Sequence, residues 1–457
     1  MYRADTIVAR ATAAGRAAIA IIRLSGPESV DIASRFLRSG RSLSSLPAWR
    51  LARFAAIDPA DLRVIDEVIA VRMPGPRSYT GEDVVEVHCH GSCVVVDTLL
   101  RAAMIAGARA AEPGEFTRRA VLNGRMDLVQ AEAVAELIDA PVLSGVKAAW
   151  RRLSGALTNR ITTLRERLVA ILADVETYID FSDEDLPEEN EALRSVELAA
   201  IRLEIERLLE GFKTARREAE GYRVVLAGKP NVGKSSLLNA LLGVERAIVS
   251  EEAGTTRDTI TETVDLGGFA FLITDTAGVR PTSSVSEALA VGRSLQEASD
   301  ADILIRVFDG SRALDDRDVA ILALMSESGR ALCVINKSDL LPGLSKKDHA
   351  LLLATGGPVV TASAITAGGC DALERCIVET VDSFTQDAGE STGLARERHR
   401  AALERALYAV TRAQSEDQAE LAAIELRQAI AEIGGITEVL DNEQVLDVIF
   451  ASFCIGK

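Results

Sequence analysis

The sequence predicts a multidomain chain that joins an α+β unit, a helical unit and an α/β unit, and three observations carry that prediction. Its 457 residues give room for about three domains of ~150 residues each. The texture of the chain changes near residue 118 from short β-branched runs with Gly/Pro/Ser turns to long Ala/Leu/Glu/Arg-rich helix, and near residue 218 to repeated strand–loop–helix units. Within those units the string GKPNVGKS at 228–235 follows an apolar strand and precedes a helix, as a doubly wound, mostly parallel sheet requires.

Taken in order, residues 1–118 read as a compact α+β domain with strands at 19–24, 68–71 and 84–87 and a helix near 94–106. Residues 119–217 read as amphipathic helix, interrupted by the acidic FSDEDLPEEN, whose carboxylates suit a solvated turn capping the next helix. Residues 218–380 form the α/β unit. Residues 381–457 return to helix from Leu394 and resemble the second segment more than the third. The two helical segments are therefore expected to pack as one discontinuous domain with the α/β unit inserted.

Composition limits the function. An apolar content of 48% is that of packed globular protein and excludes disorder as the main state. A net charge of −17 repels nucleic acid and anionic membrane, so any RNA must be met by a local patch or a partner. Aromatic residues at 4% argue against a base-stacking platform. No apolar run approaches the ~18 residues of a membrane span, and the amino terminus lacks the core of a signal peptide. Six cysteines at 89, 93, 333, 370, 376 and 454 make no disulfide framework in a chain this long, and reduced thiols fit a cytoplasmic address.

The strongest chemical signal is the loop at 228–235. Gly228 and Gly233 let the backbone wrap a phosphate, and Asn231, Val232, Gly233, Lys234, Ser235 and Ser236 lie along it; Lys234 neutralises the β/γ oxygens and Ser235 can ligate magnesium. Thr255 and Thr256 in GTTRD offer hydroxyls for the magnesium shell and the γ-phosphate, although a Thr pair after Gly is by itself a turn signal. Asp275, Thr276, Ala277 and Gly278 end the next strand, bringing a carboxylate toward magnesium and a backbone N–H toward the γ-phosphate. Asn336, Lys337 and Asp339, in NKSD, end a later strand, and Asp339 can accept hydrogen bonds from guanine N1–H and its amine, which adenine does not offer. Ser363 and Ala364 fall where a loop closes over the base. The ordered set predicts GTP binding.

Val279 follows Gly278, so the glutamine that orients water in many small GTPases is absent. Glu287 is a candidate for that work, although from spacing alone a solvated glutamate at a helix start is the favoured reading. Asn231 could hold an extra cation in the place of an arginine finger, and Arg257 is the alternative positive charge. His88, Cys89, His90 and Cys93 suggest zinc, yet strand alternation sends His88 and Cys89 to opposite faces and no second ligand pair stands at finger spacing. Cys454 sits fourth from the end, but Gly456 and Lys457 do not fit a prenylation box.

The strings DTIVARATAAGRAAIAIIRLSGP, SYTGEDVVEVHCHG, PGEFTRRAVLNGRMDLVQAEAVAELIDA, the GTPase set with GTTRD, and the terminal FCIGK closely resemble the MnmE (TrmE) family of tRNA modification GTPases along the full chain. The resemblance implies an amino-terminal domain like the folate-binding domains of aminomethyltransferases, a homodimer formed through it, and an inserted G domain. It also implies a flavin-dependent partner, MnmG (GidA), with which the family places a carboxymethylaminomethyl or aminomethyl group on carbon 5 of the wobble uridine, U34, of certain tRNAs. The one-carbon unit comes from a tetrahydrofolate derivative, the 5,10-methylene form, with the 5-formyl form as an alternative ligand.

Carried over position by position, the family's folate contacts fall on Arg23, Glu82, Arg125 and Lys457, with Arg125 standing where Lys is common. Without the resemblance, Arg23 would read as a strand-edge charge, Glu82 as a turn closer and Lys457 as a frayed terminus. The family's potassium loop maps onto Asn231, Ser250, Glu252 and Thr255, its magnesium onto Ser235 and Thr256, and its catalytic glutamate onto Glu287. Cys454 lies near the modification chemistry in the family, or is simply a small residue in a buried tail. A regulatory GTPase without covalent RNA chemistry would share the G-domain motifs; the FCIGK tail and the amino-terminal strings separate the two.

Overall fold

The computed structural model of the protein describes residues 5–180, 189–246, 261–275, 301–324, 330–387, 394, 396–416, 418–438, 450, 453 and 456. By compactness the chain divides into two units: residues 1–135, 158–165 and 431–457 in one, and residues 136–157 and 166–430 in the other.

The first unit is built on a seven-stranded sheet: β1 (Ile7–Arg10), β2 (Ile19–Ser25), β3 (Leu37–Arg38), β4 (Ala52–Ile57), β5 (Val64–Met73), β6 (Val84–His90) and β7 (Arg109–Ala110). The spatial order is β3-β4-β5-β6-β2-β1-β7. Every pairing is antiparallel except β1 with β7. The strands at 19–24, 68–71 and 84–87 are thus present and longer than expected, and β4 and the short β1, β3 and β7 join them.

Period-2 alternation explains the layering. Ile22, Leu24, Val68, Val85 and Val87 point to one face, where helices Ser29–Phe36 and Cys93–Ile105 bring Ile32, Phe36, Val96 and Leu99 into a single cluster. Each such side chain contributes about 1.5–3 kcal/mol by leaving water. Cys89 lies in this core while His88 is half-buried on the other side. On the opposite face Ile7 and Ala9 of β1 meet Phe116 of helix Glu115–Leu122 and the Tyr79 ring. Residues late in the chain complete this unit. Phe450 and Phe453 pack with Val121, Leu128 and Ala131. Gly456 approaches so closely that a Cβ there would stand 2.0 Å from the Arg10 carbonyl oxygen.

The second unit holds a six-stranded sheet of β8 (Tyr222–Ala227), β9 (Thr261–Leu266), β10 (Phe269–Asp275), β11 (Ile303–Asp309), β12 (Ala331–Asn336) and β13 (Val359–Thr361). Its order is β13-β12-β11-β8-β10-β9, and all pairs are parallel except the β9–β10 hairpin. β11 is buried at every residue, the pattern of a strand covered on both faces. Long helices accompany it: Glu189–Glu210 packs on Glu397–Ser415, and Arg167 links Glu197 and Glu204 at 2.6 and 2.9 Å. Helices Leu143–Leu153 and Phe212–Glu220 meet the start of the sheet, where Ser144 N donates to Gly268 O (3.1 Å) and Arg217 Nε to Asp302 Oδ1 (2.5 Å).

Candidate functional site

Parallel pairing sets the carboxyl ends of β8, β10, β11, β12 and β13 along one edge, so the loops leaving them converge there, as ligand loops do in open α/β sheets. The GKPNVGKS string supplies the loop between β8 and helix Lys234–Arg246. Asn231 and Gly233 adopt φ of +66° and +97°, the turn that curls the backbone before the helix. Glycine is required at Gly228 because a Cβ would lie 2.6 Å from Val307 O on β11, and at Gly233 because it would lie 2.2 Å from Asn336 Nδ2.

The loop is held from within and from outside. Lys234 Nζ folds back to donate to Gly228 O (2.8 Å) and Lys229 O (2.9 Å), leaving the residue 5% exposed. Asn336 Nδ2 donates to Val232 O at 2.8 Å, so the NKSD string reaches the phosphate loop directly; its buried Oδ1 has no hydrogen-bond partner among the described residues. The Val232 side chain is buried in the sheet core, which leaves its backbone to face the loop, while Asn231, Ser235 and Ser236 are exposed.

On the base side, Ser363 Oγ donates to Asp339 Oδ1 (2.6 Å) and Ser338 N to Ala362 O (3.1 Å). The NKSD and Ser363–Ala364 strings are thereby neighbours. Lys337, at φ +62°, donates from Nζ to Asp309 Oδ2 at 2.6 Å. Burial pushes the Asp309 carboxyl up, but hydrogen bonds from Lys337 and from Ser311 outweigh it and bring it down to about 2. Asp275 ends β10 in register with Leu226 of β8. Thr276, Ala277, Gly278, Ser250, Glu252, Thr255, Thr256, Glu287, Cys454 and Lys457 lie outside the described residues.

In the first unit three of the four candidate folate contacts meet the segment 78–82. Arg23 sits over the Tyr79 ring (5.3 Å) and the Phe116 ring (5.7 Å) and pairs with Glu86 across the strands, Nε to Oε1 2.8 Å. Arg125 Nε donates to Ser78 O at 3.1 Å. Glu82 accepts from Ser25 Oγ (2.6 Å) and from Arg119 Nη1 (3.2 Å).

Sequence reasoning missed Arg119, Lys229 and Asp309. Arg119 is 2% exposed and pairs with Asp5 (2.6 Å), Glu115 (3.0 Å) and Glu82; Arg109 joins the same Asp5 and Glu115 at 2.7 and 2.6 Å. The Arg109 guanidinium, joined by Arg119 and opposed by burial, holds the Asp5 carboxyl below its ordinary range. Glu115 and Arg119 stand at i,i+4 spacing on one helix, a local signal the sequence carries, whereas Asp5, Glu82 and Arg109 join them from positions that no local pattern links. A lysine inside a phosphate loop, Lys229, was visible, but its two carboxylate partners stand beyond β11.

The amino-terminal part matches the family model described as the GTP-binding protein TrmE N-terminus over residues 6–125, and the model of the MnmE helical domain matches residues 128–454. A tRNA modification GTPase MnmE of Heliobacterium modesticaldum is 43% identical over 470 residues, covering 99% of both chains. Those of Geobacter sulfurreducens and Symbiobacterium thermophilum are 41% and 42% identical, covering 100% and 99% of both chains. Likeness at this level runs unbroken from the antiparallel sheet through the clamped phosphate loop to the last helices, and on that ground the chain belongs to the MnmE family of tRNA modification GTPases.

Proposed function

We propose that this GTPase hydrolyses GTP at the edge formed by residues 228–236, 336–339 and 363–364 and that hydrolysis serves modification of U34 in tRNA. The observation that carries the reading is the bond from Asn336 to Val232, which joins a base-reading string to a phosphate loop, with Asp339 held by Ser363 where it can accept from guanine. Ser235 and Thr256 would hold magnesium, which would neutralise charge between the terminal phosphates, and Asp275, the last residue of β10, would add a carboxylate. With no water-orienting glutamine at Val279 and an arginine finger worth ~10³-fold or more, a substitute charge is needed. We assign it to potassium held by Asn231, Ser250, Glu252 and Thr255 once two G domains meet, with Glu287 acting on water.

The same reading makes the first unit a folate site and a homodimer contact. Two guanidinium groups, Arg23 and Arg125, meet one loop at the Tyr79 ring and at Ser78 O, chemistry that suits a carboxylated heteroaromatic ring; Lys457 would add a charge, and Cys454 would serve the modification chemistry or fill a buried tail. A flavin-dependent partner, MnmG (GidA), would supply the counter-charge that a net −17 denies to tRNA binding.

Steady-state GTP hydrolysis in potassium and in sodium at matched ionic strength tests the cation assignment: a large potassium preference supports it, and equal rates refute it in favour of Arg257. Glu287→Ala should keep GTP binding and lose most turnover. Mass spectrometry of tRNA nucleosides from a deletion strain tests the modification itself; unchanged wobble uridines would overturn it.

A further inference from the structure

Lys229 is the second residue of the phosphate loop and its side chain turns away from the loop interior. It is 8% exposed. Its Nζ donates to Asp318 Oδ2 at 2.5 Å and Asp315 Oδ2 at 2.8 Å, and Asp318 is itself buried. Burying an ammonium and a carboxylate costs several kcal/mol per ion, and a well-packed apolar pair does as well or better for stability alone. The arrangement therefore calls for an explanation beyond folding.

Helix capping does not supply one. Asp315 Oδ1 accepts from Arg317 N (3.0 Å) and Asp318 N (3.2 Å), and Asp318 Oδ2 accepts from Asp315 N (3.0 Å), so helix Asp316–Leu322 has a closed capping box of its own. The box presents a rigid acidic socket in which the lysine is seated. Burial works to lower the Lys229 ammonium, but the two carboxylates outweigh it and raise it above the ordinary value, so it stays charged.

The backbone of this anchored residue has a task. Its carbonyl, with that of Gly228, receives Lys234 Nζ at 2.9 and 2.8 Å, and those two bonds fix where the loop's second ammonium stands. The other end of the loop is held separately through Val232 by Asn336. We infer that Lys229 is a positioning residue for triphosphate binding: seated between Asp315 and Asp318, it fixes the carbonyls of Gly228 and Lys229 and so aims Lys234 at the phosphates. The inference rests on the reading of 228–235 as the triphosphate loop.

The test is titration of the full-length chain with a fluorescent GTP analogue, beside thermal melts without nucleotide. Lys229→Met and Asp318→Asn are expected to bind GTP about tenfold more weakly, a change of about 1.4 kcal/mol, and Lys229→Arg to stay within about threefold of the parent because its charge reaches the same socket. The preference for GTP over XTP should not move, since Asp339 and Ser363 are untouched. The double variant Lys229→Met with Asp318→Asn removes the orphaned buried charge, and should regain thermal stability without regaining affinity. Parental affinity in Lys229→Met, or recovery of both properties in the double variant, would overturn the inference; if Lys229→Met does not fold, Asp318→Asn and the double variant give the answer. Lys234→Ala separates the two readings. Binding that survives it defeats the triphosphate loop itself, whereas binding lost there and kept in Lys229→Met defeats only the role given to Lys229.

Discussion

The two sheets of this protein place their charged residues differently. The parallel sheet keeps most charge out of its central strands, with Arg306 of β11 a buried exception that donates from Nη2 to Leu324 O, and much of its polar chemistry begins where strands end: the loop from Gly228 after β8, Asp275 at the end of β10, Asn336 at the end of β12. In the antiparallel sheet charge lies within and between the elements, with Arg23 paired to Glu86 across two strands and Arg119 buried among three carboxylates. A sheet covered on both faces admits an interior charge only where an acceptor meets it, as Leu324 O meets Arg306. One that alternates can carry it on a face, provided each charge is paired.

Three experiments sharpen or break this contrast. The largest effect should come from Arg119→Met, which removes the buried cation shared by Asp5, Glu82 and Glu115 and leaves Arg109 to serve Asp5 and Glu115. Loss of one partner from such a network costs roughly 3–5 kcal/mol, seen as an early melting transition with GTP affinity retained; simultaneous loss of GTP binding would show that the two units are not energetically separate. Next is Asp339→Asn. It removes an ionised acceptor for guanine, worth about 1.5–3 kcal/mol, and offers an amide donor that suits the 2-oxo group of xanthine, so GTP hydrolysis should fall as XTP hydrolysis rises. An unchanged ratio would remove Asp339 from the base site. The smallest effect concerns acid. Asp309 has its carboxyl lowered to about 2 in the folded protein against an ordinary ~3.9, so its stabilisation is complete above the ordinary value and is lost as pH falls from about 4 toward 2. Asp309→Asn should therefore destabilise at pH 6, on the order of 1 kcal/mol, and by less at pH 2.5, where part of the stabilisation is already lost. Urea unfolding at the two pH values checks this, and equal effects at both would sever Lys337 from Asp309.

The same contrast explains what could be read in the sequence. The phosphate loop, NKSD and the Ser363–Ala364 pair are short strings because parallel strands deliver each to the same edge, so order in the chain is enough to reconstruct proximity. Strand 84–87 and its alternation were legible, and Cys89 is indeed core while His88 is not. Two-residue strands such as β3 and β7 were not, because pairing with a neighbour, rather than propensity, makes them strands. Arg119 and Lys229 escaped for another reason. Apart from Glu115, one helical turn before Arg119, their partners are distant in sequence, and an arginine or lysine on a helix or loop reads as solvated until a fold supplies its carboxylates.

The discontinuity of the first unit has a consequence for how the chain is made. β1 leaves the ribosome well before Phe450, Phe453 and Gly456, which cover Val121 and Leu128 and lie against Arg10. Between them the second unit has time to close: Val232 waits for Asn336 across 104 residues, about 5–20 s of translation at ~5–20 residues/s. For longer than that, the apolar patch around Val121, Leu128 and Ala131 stays uncovered on the nascent chain. The unit that starts first is finished last, which makes that patch a natural holding point for a chaperone and a stalled or truncated chain a substrate for degradation.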